Sequence, residues 1–221
     1  MDYNILVQIF TKQLTKIGIK IVLLDFDKTI LNIHSYNLLM EQYNGSIDRF
    51  IEGRIIKDDF TDINLFISLI NNLKSNNINV IIVSFGLPEL INEYMRAINV
   101  HVDIKTMQSN PNGKNPLIQK IIIDYNLIPN QVLFIDDDVR NVNYAIQGGC
   151  TYSYHVGMFG LNLQEFLTLI KTLLGKSPNL LIKALSHKKF NNMDRNETCQ
   201  ILKMGKKVII SLDPHIVNLL K

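Results

Sequence analysis

The chain has 221 residues, of which 47% are apolar, and its 23 basic and 20 acidic side chains give a net charge of +3. This length suits one domain with an appendage, and a charge so near balance, without a dense Lys/Arg run, argues against a nucleic-acid partner. The two cysteines, Cys150 and Cys199, lack metal-ligand spacing, so we expect a reducing, cytoplasmic location. No apolar run approaches the roughly 18 residues of a membrane span. The N-terminus also lacks the basic start and apolar core of a signal peptide.

The N-terminal stretch predicts an amphipathic helix that ends at Gly18, because its apolar residues recur at helical spacing. The next stretch, 21–30 (IVLLDFDKTI), begins with a short, apolar, β-branched run that is typical of a buried parallel strand. Two carboxylates, Asp25 and Asp27, follow at its carboxyl end, where open α/β sheets bind ligands. Alone, such a pair is more often a solvated turn.

The rest of the chain alternates predicted helices and strands. In order, we predict helices over 35–43 and from Asp62, a strand over 79–84, a helix from Pro88, a strand over 101–106, a helix from Leu117, a strand over 131–135, a helix from Val139, a strand over 150–156 and a helix over 161–174. This recurring order predicts a mainly parallel sheet with right-handed crossovers. Beyond a boundary at 175–178, we predict a helix over 192–204 and a strand over 208–212, without a place for them in the fold.

Three of the buried strands end in polar residues that a parallel sheet would bring to one edge. These residues are Asp25, Asp27, Ser84, Asp136 and Asp137. Carboxylates converging there repel one another by on the order of several kcal/mol, and their oxygen-only character favours Mg²⁺ over zinc as the balancing ion. Lys114, on the loop before the last of these strands, would then serve an anionic substrate together with the Ser84 hydroxyl, most naturally a phosphoryl group.

The order and chemistry of these pieces resemble the haloacid dehalogenase (HAD) superfamily. The four motifs of that family stand here as DFDKT at 25–29, IIVS ending at Ser84, Lys114 in NGKNP, and FIDDDVRN at 134–141. The resemblance therefore covers roughly residues 20–156. Together and in this order the motifs form a strong signal, whereas the serine or the lysine alone carries almost none.

The resemblance implies an α/β fold: a Rossmann-like, three-layer α/β/α catalytic domain with a mainly parallel sheet over 1–178. It also implies a small helical cap inserted at about 31–77, which leaves 179–221 as a short C-terminal extension. A cap of this size would leave an open site, which would also admit bulkier or macromolecular phosphoesters.

For individual residues, the resemblance implies a phosphatase mechanism. Asp25 would attack phosphorus to form an aspartyl-phosphate, and Asp27 would act first as general acid and then as general base. Ser84 would hydrogen-bond a phosphoryl oxygen. Lys114 would pair with Asp25 and with the phosphoryl charge.

The resemblance also implies a Mg²⁺ site. The Asp25 carboxylate, the Asp27 backbone carbonyl and Asp137 would hold the ion, and Asp136 would be a secondary ligand or orient the water shell. Asp138 would instead cap the next helix. The residues assigned to substrate binding are Asn141, which matches the family's amide four residues after the ligand, and Phe85 and Gly86, whose backbone amides would cradle the phosphate at a helix N-terminus.

Asp27 favours a phosphatase or a phosphomutase, because ion-pumping members of the family carry Thr at that position. We expect a small phosphorylated metabolite, such as a nucleotide or sugar phosphate, as substrate, and no membrane partner. A phosphomutase or other phosphotransferase, and a non-catalytic HAD-like binding module, stay open as alternatives. His34, Arg49 and Arg54 lie in the cap interval and are weaker candidates for substrate contact, since solvated side chains are commoner. The sequence leaves the oligomeric state open.

Overall fold

The computed structural model describes residues 3–174 as a parallel α/β fold. Its five strands, β1 to β5, are Ile21–Leu24, Asn79–Ser84, Asp103–Thr106, Val132–Asp136 and Tyr152–His155. The α-helices of the described part, α1 to α8, are Tyr3–Ile17, Ser35–Tyr43, Ile47–Glu52, Ile63–Ser75, Pro88–Ala97, Asn115–Asp124, Val139–Gln147 and Leu163–Leu174, and 3₁₀ helices lie at Ile56–Asp59 and Pro129–Gln131. The predicted extension over 179–221, with its helix and strand, lies outside the described residues.

The five strands form one sheet in the order β3-β2-β1-β4-β5, and every pairing is parallel. The predicted α/β class with a mainly parallel sheet is therefore confirmed. The central strand, β1, is buried along its whole length, as its run of apolar residues indicated. Leu24 pairs with Ile82 on one side and with Ile135 on the other. The acids that follow β1 therefore emerge between the ends of β2 and β4.

Alternate side chains of the sheet enter two separate cores. Val22 and Leu24 face a core that also contains α1, α4, α5 and α8, whereas Ile21 and Leu23 face α6 and α7. Helices thus cover both faces, as in other parallel sheets. By the two-residue period of a strand, Asp25 continues toward the side of α6 and α7.

Several helices begin where local sequence signals predict. Asp62 accepts a hydrogen bond from the Leu65 amide at the start of α4, and Asp138 accepts one from the Arg140 amide at the start of α7. Pro88 occupies the first turn of α5, where its missing N–H costs nothing. Within residues 3–174, no helix combines the length and the apolar character needed to cross a bilayer.

Only part of the chain between β1 and β2 lies outside the helical layers that cover the sheet. Helix α4 packs on α1 and beside β2 and so belongs to a helical layer, whereas α2, α3 and the first 3₁₀ helix form an insertion over residues 31–60. A bridge between Leu31 and Phe60 closes the base of this insertion. Phe50 is fully buried and joins the main core, where its ring and that of Phe60 lie 6.3 and 5.8 Å from the Tyr94 ring of α5. The cap predicted over about 31–77 covers this insertion and α4, and its bounds stay a prediction.

Candidate active site

The carboxyl edge of the central strands brings three charged side chains into direct contact. The Asp25 amide donates to the Ile135 carbonyl at 2.9 Å, so the β1–β4 ladder continues one residue beyond β1 and sets Asp25 beside Asp136. Lys114, at the N-cap of α6, donates from Nζ to Asp25 Oδ1 and to Asp136 Oδ2, the latter at 2.7 Å. The three residues are only 5%, 0% and 2% exposed for Asp25, Asp136 and Lys114, respectively.

Burial dominates the electrostatics of this triad. It raises the pKa of Asp25 and of Asp136 to about 6, although Lys114 attracts both carboxylates. Burial alone would lower the pKa of Lys114, but the charges of the two carboxylates raise it above its ordinary value. The lysine therefore keeps its charge, and the carboxylates ionise at a cost that a single ammonium does not offset.

A third carboxylate, Asp137, completes a cluster that could hold a metal ion. Oxygens of Asp25, Asp136 and Asp137 all lie within 4.8 Å of one another. Asp137 is half-buried, and burial followed by the charge of Asp136 raises its pKa. Three carboxylates and one ammonium leave two negative charges in excess when all are ionised. A divalent cation would balance these two negative charges, and an all-oxygen donor set suits Mg²⁺ better than zinc.

Asp136 has protein partners on both carboxylate oxygens. The Asn141 side chain donates to Oδ1 at 3.1 Å and to Oδ2 at 3.2 Å, and the Asp138 amide donates to Oδ1 at 2.8 Å. Asn141, predicted to bind substrate, is thus placed against Asp136 and is only 5% exposed. Gly113 makes room for it, because a Cβ there would lie 2.5 Å from Asn141 Oδ1 and φ is +56°. Together these contacts hold Asp136 and Lys114 in place.

Thr29, the last residue of the DFDKT motif, also belongs to the site, although no role was predicted for it. It is fully buried, and its hydroxyl donates to Asp25 Oδ2 at 3.2 Å. Asp25 is therefore bonded by Lys114 on one oxygen and by Thr29 on the other. The Thr29 carbonyl in turn accepts from the Leu161 amide at 2.8 Å, so the loop after β5 supports the loop after β1.

Ser84 and the two residues after it, Phe85 and Gly86, have different partners at the end of β2. Ser84 is buried, and its hydroxyl accepts a hydrogen bond from the Gly86 amide at 2.9 Å. That amide, predicted to cradle a phosphate, is thus directed at Ser84. The Phe85 ring lies 5.3 Å from Lys114 Nζ, within the range of a cation–π contact, so its side chain borders the charged cluster.

Asp27 is half-buried and has a different set of partners. Its Oδ1 accepts from the Ser35 amide at 3.0 Å and from the Ser35 hydroxyl at 2.5 Å, and its Oδ2 accepts from the Tyr36 amide at 3.3 Å. These donors stand at the first turn of α2, whose amides lack partners inside the helix. The side chain of Asp27 is thus held by the insertion, apart from the contacts of Lys114.

Of the three weaker candidates in the insertion, one is paired within the protein and two are exposed. Arg54 is paired with the buried Asp59, which also accepts from the Tyr94 hydroxyl at 2.6 Å. This leaves the guanidinium engaged within the protein. His34 and Arg49 are exposed.

No protein-family model matches the sequence, and no curated protein matches it significantly. Among solved structures, the chain is similar to a HAD-family hydrolase from Salmonella enterica serovar Typhi, with 11% identity over 60% of this chain and 61% of that one and a TM-score of 0.40. It is also similar to the cobalt-bound deoxy-D-mannose-octulosonate 8-phosphate phosphatase of Haemophilus influenzae, with 13% identity over 77% and 99% and a TM-score of 0.42. A third similar protein, described as a HAD superfamily subfamily III A hydrolase, is from Legionella pneumophila, with 16% identity over 79% and 94% and a TM-score of 0.42.

The chain spans about three fifths of the Salmonella protein, 61% of its length. All three similarities lie below 25% identity and below a TM-score of 0.5. The activity of this chain therefore has to be inferred from its own residues at the carboxyl edge of the sheet.

Proposed function

We propose that this chain is a Mg²⁺-dependent phosphomonoester hydrolase that works through Asp25. The observation that carries the proposal is the convergence of Asp25, Asp136 and Asp137 with Lys114 at one sheet edge. A buried carboxylate bonded by both an ammonium and a hydroxyl is held in one orientation, as a nucleophile requires. The same carboxylates match, in order along the chain, the motifs that resemble the HAD superfamily.

Each residue has a definable task in two half-reactions. In the first, an Asp25 oxygen forms a bond to phosphorus while the ester P–O bond breaks, and Asp27 gives a proton to the leaving oxygen. In the second, water attacks phosphorus, Asp27 takes its proton and the Asp25–phosphorus bond breaks. Lys114 keeps a positive charge beside the reacting oxygens throughout. The Ser84 hydroxyl is assigned to a phosphoryl oxygen.

The proposed metal site consists of Asp25, Asp137 and the backbone carbonyl of Asp27. Mg²⁺, when bound there, supplies positive charge to the phosphoryl oxygens and offsets the excess of carboxylates. Asp136 would contribute to the metal site indirectly, because Lys114 and Asn141 already donate hydrogen bonds to both of its oxygens. Its role in the proposal is to hold the lysine.

For the substrate we propose a small phosphorylated metabolite, such as a sugar or nucleotide phosphate. The net charge of +3 without a dense basic run supports a small anion over a nucleic acid. The exposed Met158 and Phe159 lie on the same loop as Leu161, whose amide donates to the Thr29 carbonyl, and we assign their apolar side chains to the organic part of a substrate.

The test is hydrolysis of 4-nitrophenyl phosphate and of a panel of phosphorylated metabolites, with Mg²⁺ and with EDTA. Turnover that EDTA and Asp25→Asn abolish, and that Asp124→Asn leaves unchanged, would support the proposal, because Asp124 is an exposed acid at the end of α6. Full turnover by Asp25→Asn would refute it. Phosphoryl transfer to an added sugar phosphate without phosphate release would indicate a phosphomutase. No turnover and no beryllofluoride binding would indicate a binding module.

A further inference from the structure

We propose that Ser35 is a positioning residue for Asp27, and that Asp27 Oδ2 is the atom that gives and takes the proton. The inference rests on the proposed phosphatase activity and adds a residue that the motifs do not contain. Ser35 is the first residue of α2, lies eight positions after Asp27 and is 1% exposed.

The two oxygens of Asp27 are held unequally. Oδ1 accepts two hydrogen bonds from Ser35, at 2.5 Å from the hydroxyl and at 3.0 Å from the amide, whereas Oδ2 accepts one long bond at 3.3 Å from the Tyr36 amide. An oxygen that already accepts two hydrogen bonds has both lone pairs engaged and is a poor place for a further proton. A proton on Asp27 therefore belongs on Oδ2, which leaves Oδ1 as the anchored end of the carboxylate.

Ser35 fixes the plane of the carboxylate by gripping Oδ1 from two directions. The terminal torsion of an Asp side chain is otherwise soft and roughly two-fold, so without this anchor only the long hydrogen bond from the Tyr36 amide would restrain the carboxylate. A general acid acts only within hydrogen-bond reach of the oxygen it protonates. Holding Oδ1 in place therefore bears directly on the proton transfer by Oδ2.

The insertion that carries Ser35 is itself fixed to the core. The Asn32 amide donates to the Asp59 carbonyl at 2.8 Å, next to the bridge of Leu31 with Phe60. The Asp59 carboxylate is buried and bonded by Arg54 and by the Tyr94 hydroxyl of α5. The main core therefore holds the insertion, and with it Ser35, in a fixed position relative to Asp27.

The reaction that Ser35 would support is a balanced pair of proton transfers. The proton on Oδ2 moves to the ester oxygen as the Asp25–phosphorus bond forms and the ester bond breaks. The ionised Oδ2 then takes a proton from the attacking water as the Asp25–phosphorus bond breaks, which restores both side chains. The first transfer matters most when the leaving group is basic, because an acidic phenol departs without a proton.

The experiment compares Ser35→Ala with the unaltered protein on phenyl phosphate and on 2,4-dinitrophenyl phosphate, two aryl esters whose leaving groups differ greatly in basicity. The kcat/KM values are compared, because they report the step that forms the phospho-enzyme. Loss of one hydrogen bond to a carboxylate predicts a fall of about tenfold for phenyl phosphate, and a change within about twofold for the dinitrophenyl ester. Ser35→Thr, which keeps the hydroxyl, is expected to retain most of the activity on phenyl phosphate.

Ser46→Ala is the matched control. Ser46 caps α3 in the same insertion, where its hydroxyl accepts from the Arg49 amide at 3.5 Å, and we expect unchanged kcat/KM values on both esters. The double variant Ser35→Ala/Asp27→Ala should be no slower than Asp27→Ala alone, because residues that act through one another are not additive.

Equal losses on both esters for Ser35→Ala, or an additive loss in the double variant, would overturn the inference and indicate a structural role. Activity of Ser35→Ala on phenyl phosphate within twofold of the unaltered protein would overturn it as well. The proposed function fails by a different result, namely turnover of both esters that survives Asp25→Asn or EDTA.

Discussion

Replacing Lys114 by methionine would test the charge balance of the site, because the unbranched side chain is only one atom shorter and loses the charge. Lys114 is 2% exposed and pairs with both Asp25 and Asp136. Without it, two buried carboxylates lose their shared cation. Breaking a buried ion pair costs about 3 to 5 kcal/mol of folding free energy. Here the lower end applies, because carboxyl groups whose pKa is already raised to about 6 can bind a proton instead.

We therefore expect Lys114→Met to lose about 3 kcal/mol in its free energy of unfolding at pH 7.5. For a domain of this size that corresponds to a fall of about 6 to 12 °C in Tm. The loss should shrink at pH 5, because without the ammonium the pKa of both carboxyl groups rises further and the folded state binds protons more readily. Activity on 4-nitrophenyl phosphate should fall about 100-fold or more, as for other preorganised charges.

Urea denaturation at pH 5 and pH 7.5, with and without Mg²⁺, measures the stability changes. Mg²⁺ should stabilise Lys114→Met, because it supplies charge to the same carboxylates. Lys105→Met is the matched control, since Lys105 is exposed on β3 and its replacement should change Tm by less than about 2 °C. A Lys114→Met protein with unaltered stability at both pH values and activity within threefold would refute the described charge balance.

The acidic cluster and the loop that supports Thr29 can each be perturbed, by substitution or by pH. Asp137→Asn should weaken Mg²⁺ binding by more than about tenfold, as measured by the Mg²⁺ dependence of Tm and of turnover. Gly160→Ala should lower stability by about 1 to 3 kcal/mol in urea denaturation, because φ is +67° and a Cβ would lie 2.8 Å from the Thr29 carbonyl oxygen. In the metal-free protein, the pKa values of Asp25 and Asp136 lie at about 6 when folded, above the ordinary 3.8. Their contribution to stability is therefore present below about pH 4 and is lost as the pH rises to about 6, which acid-range urea titrations would measure.

Each of these three predictions has a control variant or a result that would contradict it. Asp124→Asn should keep the Mg²⁺ response, since that acid is exposed, and an Asp137→Asn protein with unchanged Mg²⁺ affinity would exclude Asp137 as a ligand. Gly18→Ala is informative beside Gly160→Ala: both glycines have positive φ, but nothing lies within 4 Å of a Cβ at Gly18. Equal losses at the two glycines would show that φ alone, and not the approach to Thr29, sets the cost. A metal-free stability that rises between pH 4 and 6 would contradict the raised pKa values.

Strands β1, β2 and β4 were predictable from the sequence because buried parallel strands are short, apolar and β-branched. Asp25 comes directly after β1 and Asp136 is the last residue of β4. Parallel pairing brings both acids to one edge, and the register that pairs Leu24 with Ile135 sets them side by side. The position of Lys114 was predicted from the order of the motifs. Its simultaneous contact with two carboxylates depends on the three-dimensional path of the loop before α6, which no periodicity describes.

The separate tasks of the three consecutive acids at the end of β4 were only partly predictable. The structure buries Asp136 against Lys114, leaves Asp137 half-buried beside Asp25, and places Asp138 at the cap of α7. The capping role was predicted and is confirmed, because capping follows from local sequence. The metal roles of the other two stay predictions. The contact of Ser35 with Asp27 was not predicted, because it depends on how the intervening loop folds back, with Lys28 at φ +59°.

The rings of Phe50 and Phe60 against Tyr94 have a consequence for the modularity of this protein. An insertion that completes an aromatic cluster cannot be exchanged as an independent unit. Tyr94 is fully buried, and its hydroxyl donates to Asp59 of the insertion. In a chimera with a foreign insertion, this hydroxyl would lose its hydrogen-bond partner. Recombination that is to preserve folding must therefore move Tyr94, 35 positions after its partner Asp59, together with the insertion.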